Sequence, residues 1–144
     1  MARIAKRIGL GILALLVLLA IAALWAVGPG NAGRMFFDIG IVYDKDDPKL
    51  PELKQPAILI FSKTNGFRDD ASIKAANVAL EKIARDKGWS SYTTENAAVF
   101  NAAQLLKFKA VVWNSVSGDV LTTAQRAAFK DWLEHGGGFV GLHG

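Results

Sequence analysis

The sequence predicts an α/β domain, a parallel sheet with helices on its faces, preceded by one membrane-spanning helix. Three observations carry that reading. An uncharged apolar stretch runs from Ile8 to Val27. Short continuous apolar runs recur later, as in strands buried on both faces. Between them lie segments of helical period with capping residues at their starts.

The first stretch reads IGLGILALLVLLAIAALWAV. Twenty residues at about 1.5 Å each match the roughly 30 Å hydrocarbon core of a bilayer. Trp25 sits near the outer end, where an indole suits the headgroup level. Arg3, Lys6 and Arg7 precede the stretch, and Asp38, Asp44, Asp46 and Asp47 follow it. That bias keeps the N-terminus in the cytoplasm and exports the rest. The expected partner is a lipid bilayer through residues 8–27, and the expected location is the inner (plasma) membrane, single-pass, with the domain periplasmic or extracellular. A cleaved signal peptide is the rival reading. Its apolar part usually runs about 7–15 residues. Pro29 opposes cleavage after Gly28, while cleavage after Ala32 stays open.

Residues 1–7 thus form a basic N-terminus, 8–27 the anchor and 28–56 a linker. The linker holds Gly28-Pro29-Gly30, Asp44-Lys45-Asp46-Asp47-Pro48, Pro51 and Pro56, and proline breaks helices. Phe36, Phe37, Ile39, Ile41 and Val42 within it have two destinations, the membrane surface or the domain.

From Ala57 the pattern is that of a sheet domain. Ala57 to Phe61 is the first strand. A helix follows from about Asp70 to Lys87, with Asp69 or Asp70 at its start and Ile73, Ala76, Leu80, Ile83 and Ala84 on one face. Trp89 to Thr93 is a weakly marked second strand. Phe100 to Lys107 reads as a short helix started by Asn101, and Ala110 to Trp113 as the third strand. Thr122 and Gln125 form a capping box for a helix carrying Ala124, Ala128, Trp132 and Leu133 and ending at His135. Gly136 is the left-handed stop, and Phe139 to Leu142 the fourth strand.

Composition narrows the function. Without Arg3, Lys6 and Arg7, the 17 basic residues fall to 14, against 13 acidic ones. The exported part is near neutral, so no basic patch calls for nucleic acid. The 144 residues contain no cysteine, which removes disulfides, thiolate zinc sites and a cysteine nucleophile from them. The last strand reaches its carboxyl end two residues before the sequence stops. That reads as a truncated domain with an exposed apolar face, marginally stable and aggregation-prone by itself.

Two stretches carry a family resemblance: ILIFSKTNGFR (58–68) and VVWNSVSGDVLTTAQRAAFKDWLEHGGGFVGLHG (111–144). Residues 57–144 resemble the N-terminal part of a ThuA-like (trehalose utilisation) domain. The resemblance implies a class I glutamine amidotransferase-like, flavodoxin-like fold and a connection with sugar metabolism. The family pattern has a histidine in a Phe-Arg-His-like motif after the first strand. Here Asp69 follows Phe67-Arg68, so that histidine's role does not transfer, and Asp69 reads first as a helix cap.

His143 is the leading catalytic candidate. Gly141-Leu142-His143-Gly144 looks like the elbow where related amidotransferases carry a cysteine nucleophile, and small neighbours suit a sharp turn. Histidine there can act as general acid or base or bind a metal. Asp119 is the second, weaker candidate, with a turn or capping role as its plainer reading. His135 reads as a helix-end residue beside the dipole. Gly136-Gly137-Gly138 closes a helix and opens a strand, so it is a turn and not a phosphate loop. Ser62 and Ser115 have no identified base partner in the sequence. Asp69-Asp70 suggests a metal site, but adjacent carboxylates at a helix start read first as cap and dipole complement, so cofactor and metal are both left open.

Three functions remain: an extracytoplasmic enzyme acting on a disaccharide or oxidised sugar, a non-catalytic module binding a carbohydrate or a partner, or a fragment inactive alone.

Overall fold

A computed structural model describes residues 2–143. Its contacts divide it into two units, Met1–Gly40 and Ile41–Gly144.

In the first unit, α1 runs unbroken from Ala2 to Val27 and none of its described residues is buried. It is long and apolar enough to cross a membrane. A second helix, α2 (Pro29–Phe37), occupies part of the segment read as linker. Pro29 starts this helix where a helix-breaking role was expected. At the first helical position the missing N–H has no partner to lose, and the fixed φ suits the helix. Asp38 ends α2 in the left-handed conformation, φ 52°. Ile39 N–H then donates to Gly33 O at 3.0 Å, closing the last turn.

In the second unit, residues 41–56 have no regular structure but pack on the domain. Side-chain amides supply partners that a proline-rich strap lacks within itself. Asn65 donates to Val42 O and accepts from Val42 N. Gln125 donates to Asp44 O, Gln104 to Pro48 O, and Gln55 in the strap to Lys107 O. Leu50 and Leu53 pack against the hydrophobic core. A linker by composition, this segment belongs to the domain by contact.

The sheet domain follows in the expected order of strands and helices. Its elements are β1 (Ala57–Phe61), α3 (Asp70–Asp86), β2 (Ser90–Thr94), a 3₁₀ turn (Ala97–Val99), α4 (Ala102–Leu105), β3 (Ala110–Asn114), α5 (Thr123–Glu134) and β4 (Gly138–Leu142). All four strands are parallel, in the order β2-β1-β3-β4. Leu59 lies beside Tyr92 and Val111, and Val111 beside Phe139.

Strand alternation sorts the core into two layers. Ala57, Leu59, Phe61 and Val111 meet Phe100, Leu105, Phe129 and Trp132 on the α4 and α5 side. Ile58 and Ile60 meet Ala84 and Leu80 of α3 on the other. Phe61, Phe100, Trp113, Phe129 and Phe139 form one ring cluster, with Phe61 and Phe100 centroids 4.7 Å apart at 78°. Edge-to-face pairs of this kind place a ring's positive rim on its neighbour's negative face.

Two helix faces differ in detail from the sequence reading. Ile83 is 52% exposed, because Ile73, Leu80 and Ala84 already fill the inner face of α3. On α5, Ala124 is exposed, and Gln125, Phe129 and Trp132 are buried at i, i+4 and i+7. The capping box of Thr122 and Gln125 is present with both of its hydrogen bonds. On the edge strand β4, Phe139, Val140 and Leu142 are 47%, 48% and 37% exposed.

Candidate active-site crevice

In a parallel sheet, ligands bind beyond the carboxyl ends of the strands, where strand order reverses. Here the chain steps from β1 outward to β2 and then back across to β3, so the reversal lies between β1 and β3. The loops after these two strands are stitched together. Asn65 N–H and Gly66 N–H both donate to Ser117 O, at 2.8 and 3.1 Å, and Ser117 Oγ donates to Phe67 O. Gly118 permits this approach. Its φ is 72°, and a Cβ there would stand 2.6 Å from Gly66 N.

Over the β1 to β2 side, the strap closes the edge. Asp44 accepts from Lys63 Nζ at 2.6 Å and from Ala97 N–H at 2.8 Å. Over the β3 to β4 side the edge stays open. A cavity of about 410 Å³ lies there, lined by Phe67, Asp69 and Ser72 from the β1 side and by Ser115, Leu142 and His143 from the β3 and β4 ends.

His143 follows β4 directly and has φ 38°, the left-handed region. Ser115 follows β3 in the same conformation, φ 54°, and its N–H donates to Leu142 O at 2.8 Å. Two adjacent strands therefore end in sharp turns at the cavity. Gly144, the last residue of the elbow motif, lies outside the described residues.

Asp69 is the cap of α3, as the sequence reading preferred. One carboxylate oxygen accepts from Ala71 N–H and Ser72 N–H, each at 3.1 Å, and the other from Ser72 Oγ at 2.7 Å. The Ser72 hydroxyl, then the backbone N–H groups, hold this carboxyl below its ordinary range, and charge on His143 adds a smaller push the same way. The cap thus also faces His143 across the cavity.

Asp119 is not brought to this cavity. Its carboxylate pairs with Arg126 Nη1 at 2.5 Å on the first turns of α5, both half exposed. Its backbone oxygen accepts from Asn65 Nδ2 at 2.7 Å. His135 caps the end of α5, with Nδ1 2.8 Å from Asp131 O. This contact raises its pKa above the ordinary histidine value, with the Asp131 charge second. Among the described residues, no three His, Asp or Glu side chains cluster as a metal site.

Sequence reasoning missed the polar floor of the crevice. Asn114 is 1% exposed; its Nδ2 donates to Ile73 O at 3.0 Å and to Asn77 Oδ1 at 2.9 Å, and its Oδ1 accepts from Ser115 Oγ at 3.2 Å. An asparagine closing an apolar run was the available signal. Arg68 was missed as well. It binds Glu95 through both terminal nitrogens, at 2.9 and 2.8 Å, and Asp70 through Nε at 2.6 Å. Glu95 first, then Asp70, holds its charge more firmly than in free arginine.

A family model described as ThuA, trehalose utilisation, matches residues 57–144, more than half of the chain. This chain belongs to the ThuA family. Its ThuA domain shares its fold with a solved ThuA-like protein from Bacteroides uniformis, with a TM-score of 0.52 at 20% identity. That match covers 69% of this chain and 40% of the other, so the chain spans less than half of that relative's length. No curated protein matches the chain. The Phe67-Arg68 pair has a structural use here: Phe67 lines the cavity and Arg68 clamps the loop after β1 to the end of β2 and the first turn of α3.

Proposed function

We propose that this chain is a membrane-anchored, extracytoplasmic ThuA-domain protein. In this reading it takes a disaccharide or an oxidised sugar into the crevice, and His143 is the acid or base that acts on it. The single observation that carries this is the shared cavity of His143 and Asp69 at the carboxyl edge. About 410 Å³ is in the range of small-ligand sites, which run roughly 300–1,000 Å³. An imidazole beside a carboxylate held in its charged form can accept a proton from a sugar hydroxyl and return it. The anchor reading is supported by the apolar helix α1 and by the basic residues before it.

The second reading is a carbohydrate-binding module without turnover. Phe67, 47% exposed at the cavity wall, favours it, because an aromatic face suits the apolar face of a sugar ring. The test uses the full chain in detergent. Trehalose and oxidised disaccharides are offered, binding is read by calorimetry and conversion by mass spectrometry. Conversion lost in His143→Ala with binding retained supports the enzyme. Binding without conversion, lost in Phe67→Ala, supports the module. Unchanged conversion in His143→Ala removes His143 from the chemistry.

A further inference from the structure

The structure points to a second lipid contact beside α1. We propose that α2, with Ile39, lies in the headgroup layer of the exported leaflet and turns its apolar stripe to the acyl chains. This rests on the reading of α1 as a bilayer-spanning helix.

The pattern of α2 has two stripes. Asn31, Arg34 and Asp38 recur at i, i+3 and i+7. They form the polar one, where Arg34 Nη2 donates to Asn31 Oδ1 at 2.7 Å and Asn31 Nδ2 donates to Val27 O at 3.1 Å. Met35 and Phe36 form the apolar side of α2, Phe37 stands on the flank toward Arg34, and Ile39 follows just past the left-handed Asp38; Ala32, on the same side as Met35 and Phe36, is buried. Met35, Phe36, Phe37 and Ile39 are 47%, 61%, 60% and 65% exposed. Four large apolar side chains within five residues stand in solvent, an arrangement that soluble surfaces avoid.

Continuity with α1 names the occupant. Only Gly28 separates the two helices. Its φ of 91° and ψ of 133° interrupt the α-helical path, so α2 does not extend the axis of α1. The headgroup layer is only about 5–8 Å deep on each side of the hydrocarbon core. Nine residues of helix are about 13 Å long, so α2 remains within that layer only by turning aside. Helices that lie in this layer carry Trp, Phe or Leu on the side turned to the acyl chains. Arg34 is the one cation on α2, so the attraction is apolar and does not depend on anionic lipid.

The cysteine-free sequence allows a single labelled position. Full-length Phe36→Cys and Phe37→Cys proteins carry an environment-sensitive fluorophore, with Lys74→Cys on the exposed side of α3 as control. Each is reconstituted into phosphatidylcholine vesicles, with and without anionic lipid, and quenched by headgroup-level nitroxide lipids. Severalfold stronger quenching at 36 and 37 than at 74, equal in both lipid mixtures, is the expected result. Flotation after alkaline extraction reads α1 separately. Protein that floats while 36 and 37 are quenched no more than 74 overturns this inference and leaves the spanning helix standing. Disulfide cross-linking of Phe37→Cys to a second copy in place of lipid quenching also overturns it. Protein released by alkali overturns the spanning reading itself.

Discussion

Asp44 and Lys63, nineteen residues apart, form an ion pair of 2.6 Å in which Lys63 is 8% exposed. The same carboxylate oxygen accepts from Ala97 N–H. One side chain therefore ties the strap to the loops after β1 and β2. Replacing Asp44 with Ala leaves a nearly buried ammonium and a backbone donor without a partner. Loss of one member of a buried pair costs about 3–5 kcal/mol, and partial exposure of Asp44 lowers this to about 2–3. Asp44→Asn keeps an acceptor for Ala97 and loses less. Guanidinium denaturation of the full chain in detergent measures both; an Asp44→Ala protein within about 0.5 kcal/mol of the parent would show the clasp to be idle.

Gly118 and Gly136 separate strain from collision. Both have positive φ, 72° and 95°. Alanine at Gly136 meets nothing within 4 Å. It carries only the left-handed penalty, about 1–2 kcal/mol. Alanine at Gly118 adds contacts of 2.6 and 2.7 Å with backbone atoms of Gly66 and Asn65. Those atoms belong to the stitched loops and have little room to yield. Gly118→Ala is expected to cost at least twice as much as Gly136→Ala in the same denaturation assay. It also loosens the crevice wall, read as faster hydrogen exchange at Asn65 and Gly66 N–H. Equal costs would mean that the loops move apart freely.

The contrast between those glycines marks what the sequence made legible. Gly136 follows a helical pattern and precedes a strand, so its role is local and readable. The order of strands, the Thr122–Gln125 capping box and the Asp69 cap are local in the same sense. Gly118 serves a contact with residues more than fifty positions earlier, and no local pattern announces that. The Asn114 network, the clamp of Arg68 on Glu95 and the amide-held strap also join distant positions. Helix α2 was hidden for another reason, since proline reads as a breaker unless its place at a helix start is known. The sharp turn at His143 was legible from the small residues around it, whereas the cavity it lines with Asp69 needed the fold.

Acid and alkali act on this domain through different groups. The Asp69 carboxyl is held low when folded, chiefly by the Ser72 hydroxyl. Its contribution is present above the unfolded value, about 3.9, and is lost as pH falls below that. The His135 imidazole is held high when folded, chiefly by Asp131 O. Its contribution is present below the unfolded value, about 6.5, and is lost as pH rises past its folded one. Asp69→Asn is expected to flatten the acid side of the stability profile, and His135→Gln the side above about pH 6.5. NMR titration of His135 giving a midpoint at or below the ordinary value would contradict the second part.

Asn114 gives the sharpest test of the crevice floor, because charge and hydrogen bonding there pull apart. Its Nδ2 faces two acceptors, Ile73 O and Asn77 Oδ1. Asn114→Ala removes the donor; Ile73 O keeps its α-helical bond, but Asn77 Oδ1 loses its partner, a loss of about 1–3 kcal/mol. Asn114→Asp keeps the shape but aims a carboxylate at the same two oxygens. Burial favours the neutral acid, so the folded pKa of that aspartate rises above its unfolded value. The penalty is then largest at neutral pH and shrinks as pH falls toward the unfolded value, about 3.9. Asn114→Asp should therefore be less stable than Asn114→Ala at pH 7, with the gap closing near pH 4. Asn114→Ala also frees the Ser115 hydroxyl, whose turn adjoins His143, so the binding proposed for the crevice should weaken together with stability, whereas Asn114→Asp keeps an acceptor for that hydroxyl. A stability gap that does not change with pH would mean that water reaches position 114 and that the floor is open.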